Sequence, residues 1–279
     1  ALREILYVGE GDNYSKLCGG VMRIAPVPLY GATLDDNGEA RIKDIQTVDQ
    51  QAADAAIITH RHPLGYIPAA LEAHIIYRLM LDEAPSKESF KQYIGEGMDA
   101  VRNLYPQHKK EMGYLGHLVG KALVLADDSM DDVACIGAIG EGWVGEEALA
   151  IALYCAVKYF DDFEKAVIVA VNHKGDSDST GAVLGNILGT AVGYNALPQH
   201  FKTNLEFHDV ILRMADDLWA GETKWNAQKF LEEYLPLSKK GGSWSYYKIR
   251  EMRVAEFQNT VGIVQQGYYT TDSGKHILL

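Results

Sequence analysis

Apolar residues recur at helical spacing along most of the first 220 residues, and no run alternates convincingly with period two. Over residues 66–82, Ile67, Ala70, Leu71, His74, Ile75, Arg78 and Leu79 fall at helical spacing and predict a helix. The Ala-rich stretch 48–58 predicts another, running into Thr59-His60-Arg61-His62-Pro63, where Pro63 disfavours helix at His62. Further helices are expected at 88–104, 114–126, Glu146–Phe160, Phe163–Asn172 and 206–220. Ala148, Leu149, Ala152, Leu153, Ala156 and Val157 give the helix from Glu146 a small-residue stripe suited to close packing. Gly181, Gly185, Gly189 and Gly193 recur every fourth position, which predicts a central helix tightly embraced along one smooth face. The fold class is therefore all-α, a multi-helix bundle.

The pattern changes after Pro236. Lys239-Lys240-Gly241-Gly242-Ser243 reads as a linker, residues 248–266 as a helix, and Gly267–Leu279 as a hairpin entering a strand. Residues 1–235 are expected to form the helical domain, and 236–279 a short α/β-like tail or the start of a second domain. The first 13 residues have no strong period. The chain opens on Ala1 rather than Met, as a processed chain or a fragment does.

Composition narrows the function classes. A 47% hydrophobic and 23% charged chain of 279 residues is globular and can bury a sizeable core. A formal net charge of −12 argues against non-specific nucleic-acid binding, and no apolar run approaches a membrane span. Cys18, Cys135 and Cys155 are widely separated, which points away from a disulfide framework and towards a reducing cytoplasm.

The densest chemistry lies in Asn172-His173-Lys174-Gly175-Asp176-Ser177-Asp178-Ser179-Thr180-Gly181. Residues 176–180 are two carboxylates and three hydroxyls, a set of hard oxygen donors suited to Mg²⁺, Ca²⁺ or Mn²⁺. An EF-hand is excluded, because the twelfth position of such a loop falls on Ile187 instead of a bidentate Glu. Two readings remain open: helix N-capping by Asp178, Ser179 or Thr180, and a metal site completed by ligands from elsewhere. Other polar clusters read more plainly. Asp127-Asp128-Ser129-Met130-Asp131-Asp132 reads as a solvated connection, and His60 and His62 as a polar corner with one His facing a cleft. Gly19-Gly20 followed by Arg23 reads either as a tight turn with a surface Arg or as backbone that approaches an anion.

The acidic stretch, with Gly185-Asn186-Ile187-Leu188-Gly189, resembles the C-terminal signature of the ADP-ribosylglycohydrolase (DraG-like) family. Three more segments agree in the family's order: Cys18–Pro26, Thr59–Pro63 and Gly140–Ala150. The resemblance spans residues 14–220 and implies an all-α orthogonal bundle with a dinuclear Mg²⁺ or Mn²⁺ site. It implies hydrolysis of a glycosidic bond at C1″ of ADP-ribose on a modified acceptor. By resemblance, Asp176, Asp178 and Ser179 would hold metal, with Asp176 and Asp178 also catalytic. Gly19, Gly20, Met22 and Arg23 would line the ADP-ribose cleft and His60 would border its ribose side.

The family's Gly-Asp-Ala-Leu-Gly and Thr-Asp-Asp-Thr elements do not precede Ser15 in this sequence. Half the metal ligands are therefore expected to lie outside it, and weak metal binding with little hydrolysis is expected of this chain alone. A non-catalytic ADP-ribose binder, or a structural, crystallin-like protein on the same fold, is the alternative. The tail from Arg250 resembles, more faintly, the opening of a microbial poly(ADP-ribose) glycohydrolase macrodomain.

Overall fold

The computed structural model describes residues 13–34, 40–203, 205 and 207–220, with the backbone of five short strands beyond residue 246. The chain packs as two units, residues 1–33 with 39–197 and residues 34–38 with 198–279.

Among its described residues the first unit is helical apart from one short pair of strands. After a 3₁₀ turn at Cys18–Gly20 come α1 (Pro26–Gly31), α2 (Ile45–Ile57), α3 (Pro63–Met80) and α4 (Lys87–Leu104). There follow α5 (Lys109–Ala126), α6 (Asp132–Ile139), α7 (Gly145–Lys158), α8 (Phe163–Val171) and α9 (Ser177–Val192). A short pair of strands, β1 (Ala32–Leu34) and β2 (Ala40–Ile42), separates α1 from α2.

The core centres on α3 and α7. Both are apolar around nearly their whole circumference, the pattern of a helix enclosed by others. Helix α3 packs against α2, α4, α7 and α9, while α7 packs against α5, α8 and α9. Leu71, Ile75, Ile151 and Leu153 are among the side chains removed completely from water. Each contributes about 1.5–3 kcal/mol of hydrophobic stabilisation. Pro63 at N1 and the His62 imidazole, whose Nδ1 accepts from Leu64 N at 3.0 Å, set the start of α3.

Helix α9 departs from expectation. A Cβ at Gly181 would stand 2.7 Å from Val171 Cγ1, but one at Gly185 would meet nothing within 4 Å, and one at Gly189 only Phe163 at 4.0 Å. Gly193 lies beyond the helix with φ of 74°, where it ends the element. The glycine face is thus half open among the described residues, and the enclosed helices are α3 and α7. Apolar side chains all round, and not a glycine series, mark the centre.

One buried polar link ties α3 to α9 and to the chain that precedes them. Asn186 Nδ2 donates to Glu72 Oε1 at 3.1 Å and to the Met22 carbonyl at 3.2 Å. Glu72 is fully buried and its Oε2 has no hydrogen-bond partner. Burial drives its pKa well above the ordinary carboxylate value against the lowering effect of the Asn186 bond, so the neutral acid is favoured. The acidic run 127–132 does not converge. Asp127 pairs with Lys87 and Lys91, Asp131 accepts from Ala134 N at the start of α6, and Asp132 accepts from Tyr154 and Tyr159.

In the second unit, α10 (Gln199–Lys202) precedes α11 (His208–Trp219). The strands are β3 (Tyr247–Ile249), β4 (Ala255–Phe257), β5 (Thr260–Gly262), β6 (Tyr268–Thr271) and β7 (His276–Leu278). They pair antiparallel in the order β3-β6-β7, with β4-β5 separate. Where a helix is expected over 248–266, the described residues form strands instead, in keeping with the β-branched and aromatic residues Ile249, Phe257, Thr260 and Val261. The hairpin expected near the end is present as β6 and β7. The expected linker at 239–243, the boundary at 235/236 and the N-terminal residues 1–12 lie outside the described residues.

Two outcomes follow for stability. Gly185→Ala should raise it by up to about 1 kcal/mol through helix propensity, whereas Gly181→Ala should gain less, because its Cβ must displace the Val171 side chain, both measured by urea unfolding. The raised pKa of Glu72 gives stability that is full below its unfolded pKa and is lost as pH rises through the folded one. Thermal unfolding should therefore show Glu72→Gln gaining on the native chain as pH rises from about 4 to 8, and a constant difference would contradict a neutral Glu72.

Candidate active site

The acidic stretch folds as a turn leading into α9. His173 Nδ1 accepts from Gly175 N at 3.1 Å, and His173 Nε2 lies 2.9 Å from Thr180 Oγ1, which also donates to the Ala170 carbonyl at 2.6 Å. These bonds close the turn on itself. Burial lowers the His173 pKa, with partly opposing contributions from the Ala170 carbonyl and Asp176. Asp176 N then donates to the Glu141 carbonyl at 2.7 Å.

That contact requires the glycine before Asp176. A Cβ on Gly175 would sit 1.8 Å from the Glu141 carbonyl oxygen, so backbone must meet backbone there. On the other side, Gly142 adopts φ of 83° within a loop stapled by Glu147, whose Oε2 accepts from Glu141 N at 3.0 Å and Gly142 N at 3.1 Å.

Asp176 is the first flanking residue of α9, yet no side chain caps this helix end. The capping reading therefore fails. The carboxylate turns instead towards the Cys18–Met22 turn. Its Oδ2 lies 2.8 Å from Ser179 Oγ and accepts from the Cys18 thiol at 3.1 Å, and Ser179 Oγ also reaches Met22 Sδ at 3.2 Å. Burial works to raise the Asp176 pKa, but hydrogen bonds involving Cys18, Asp178 and Ser179, with the charge of His173, hold it below the usual carboxylate range. Burial likewise raises the Cys18 pKa, and the neighbouring Asp176 adds to the rise, so the sulfur stays a thiol. Ser179 is buried, whereas Asp178 is exposed.

The Gly19–Arg23 segment is held from several directions. Val21 N and Met22 N both donate to the Cys18 carbonyl, and Cys18 N donates to the Trp143 carbonyl. Leu17 bridges Val144, and Gly145 N donates to the Lys16 carbonyl at 3.0 Å. The Lys16 ammonium meets the buried Glu146 carboxylate at 3.0 Å. A Cβ on Gly20 would lie 2.7 Å from the Gly65 carbonyl, so this turn also presses directly on α3.

His60 stands over the turn: a Cβ at Gly19 would meet its ring at 3.2 Å. Its Nδ1 lies 2.8 Å from Thr59 Oγ1, which accepts from Arg23 Nη2 at 2.5 Å. Burial, then the charge of Arg23, lowers the His60 pKa. His62 points elsewhere, capping α3 and edging against the Tyr14 ring.

The fold thus brings Asp176, Ser179 and Met22 into contact, with Asp178 against Asp176 and His60 across the Gly19–Gly20 turn. Arg23 is directed to the Ala55 carbonyl and Thr59. Sequence reasoning did not single out Cys18, Glu141 or the Glu72–Asn186 link. Cys18 and Glu141 sat inside quoted motifs, while nothing local marked Glu72 as different from any other helical glutamate.

The oxygens of Asp176, Asp178 and Ser179 have the chemistry for a hard divalent cation. Among the described residues no three His, Cys, Asp or Glu side chains gather as a metal-holding group. The oxygen set fits part of such a centre.

The chain is 23% identical over 209 residues to human ADP-ribosylhydrolase ARH3, covering 68% of this chain and 54% of that protein. It is 26% identical over 209 residues to an uncharacterised protein of Archaeoglobus fulgidus, covering 74% and 59% of the two. The chain thus spans little more than half the length of these relatives. The profile of the ADP-ribosylglycohydrolase family matches residues 2–228, a span holding the acidic turn, the Cys18–Met22 turn and the Gly140–Gly145 loop, and the chain belongs to that family.

Proposed function

We propose that this chain contributes to metal-dependent hydrolysis of the glycosidic bond at C1″ of ADP-ribose, releasing ADP-ribose from a modified acceptor. The observation that carries the reading is the Asp176 carboxylate. It begins a helix without capping it, stays ionised, and faces the Cys18–Met22 turn together with Ser179, with Asp178 hydrogen-bonded to it. ADP-ribosylhydrolase ARH3 is the named relative, which supports the same substrate class.

In this reading Asp176, Asp178 and Ser179 hold Mg²⁺ or Mn²⁺. When bound, the metal supplies Lewis acidity and a water of lowered pKa. The chain's own residues do the positioning. The Gly19–Met22 turn lines the cleft for ADP-ribose, fixed to α9 through Asn186 and to α7 through the Leu17–Val144 bridge. His60 borders the ribose side, its orientation set by Thr59 and Arg23. The Asp176 carboxylate, with Asp178 beside it, favours the positive character that develops at the anomeric carbon.

No described helix is long and apolar enough to cross a membrane, and the three cysteines are free thiols. A cytoplasmic setting fits those thiols. A second reading, ADP-ribose binding without turnover, draws on the Cys18 thiol already bonded to Asp176 Oδ2.

Calorimetry separates the two. In a chain extended to the full length of its relatives, ADP-ribose should bind in the presence of Mn²⁺ or Mg²⁺, and Asp176→Asn or chelation should weaken binding about tenfold or more. Binding indifferent to both would favour the non-catalytic reading, and no binding of ADP-ribose by that extended chain would sink both.

A further inference from the structure

The loop that anchors Asp176 carries two side chains with no part in the site described above. Trp143 is 53% exposed, although its backbone is fixed by the bond from Cys18 N and lies next to the Leu17–Val144 bridge. Its indole Nε1 donates to Glu141 Oε2 at 3.2 Å, and Glu141 is exposed as well. That hydrogen bond runs in the plane of the ring and fixes the indole at its edge.

The position is what gives the pair meaning. The Trp143 carbonyl holds the Cys18 turn and the Glu141 carbonyl holds Asp176, so the indole and carboxylate sit on the backbone that joins the two walls of the candidate active site. Leu17, 55% exposed, continues the apolar surface beside them. The Asp176 carboxylate, whose backbone is bonded to Glu141, adds negative charge nearby. Of the nearby cations, Lys16 is paired with Glu146 and Lys174 lies in the turn before Asp176. An exposed indole edged by a carboxylate suits a cationic side chain: the ring face attracts the cation and the carboxylate accepts its N–H groups.

We propose that Trp143 and Glu141 form an acceptor subsite that takes an arginine or lysine side chain flanking the modified residue of the polypeptide carrying ADP-ribose. This rests on the ADP-ribosyl hydrolase reading above and adds what the acceptor must look like. A net charge of −12 draws a basic polypeptide towards this rim.

The test uses the full chain and three probes: free ADP-ribose, a peptide carrying ADP-ribose through a hydrolysis-resistant linkage beside an arginine, and the same peptide with glutamate in place of the arginine. Calorimetry with Mn²⁺ should show the arginine peptide bound more tightly than the glutamate peptide, with the preference shrinking as salt rises. Trp143→Leu, which keeps an apolar side chain but removes the ring, should weaken the arginine peptide by about 3–30-fold. Trp143→Phe should retain most of the affinity and Glu141→Gln should reduce the preference, each read as the ratio of arginine-peptide to glutamate-peptide binding within one variant, so that any change in ADP-ribose binding itself cancels. Equal binding of the two peptides, or an unaltered preference in Trp143→Leu, overturns the subsite while leaving the functional reading intact. If free ADP-ribose does not bind, the functional reading falls and the subsite falls with it.

Discussion

The 2.7 Å bond from Asp176 N to the Glu141 carbonyl fixes the geometry of the candidate active site. It can form only because Gly175 has no side chain, and because the Gly140–Val144 loop is stapled by Glu147 and turned by the positive φ of Gly142. The same loop holds Cys18 through the Trp143 carbonyl. Two segments some 160 residues apart in sequence, by comparison of Cys18 with Asp176, are thereby brought to hydrogen-bonding distance. Backbone-to-backbone contact is stiffer than contact between side chains, which suits a site whose carboxylates must keep a defined separation.

Carboxylates in this fold are sorted by environment. Asp176, partly exposed and served by several hydrogen bonds, is held ionised. Glu72, sealed between α3 and α9 with one amide donor, favours its neutral form. Glu146 lies between these cases: burial raises its pKa, and the Lys16 ammonium offsets part of the rise. The neutral Glu72 organises packing and the ionised Asp176 offers charge, although the sequence writes both as ordinary acids. Neutrality at Glu72 has a structural use, because an ionised carboxylate there would face the core with only Asn186 to solvate it.

Much of the helical fold was legible, and particular elements show why. The helices around α3, α4, α7 and α8 announce themselves by periodicity, since a face buried against neighbours must be apolar at that spacing. Helix α6 was missed because its start is hidden in the acidic run, where Asp131 acts as its cap. The strands β3 to β5 were read as a helix, since short segments carry little periodicity to separate the two. The glycine series in α9 was legible as a pattern but misleading as to packing: only Gly181 meets a tight neighbour among the described residues.

The sequence by itself determined which residues could do chemistry here. Hard oxygen donors had to be contiguous at 176–180, and Gly19-Gly20 had to permit close approach, because those properties belong to the residues themselves. Tertiary structure decided direction and charge. It turned Asp176 away from its own helix and onto Cys18 and Ser179, sent Arg23 to Thr59, and left the Trp143 indole exposed beside Glu141. Direction depends on which backbone lies opposite, and ionisation on how much water remains. Both arise only when distant segments pack, so the acidic turn acquires its character from Glu141 and Cys18 rather than from its own letters.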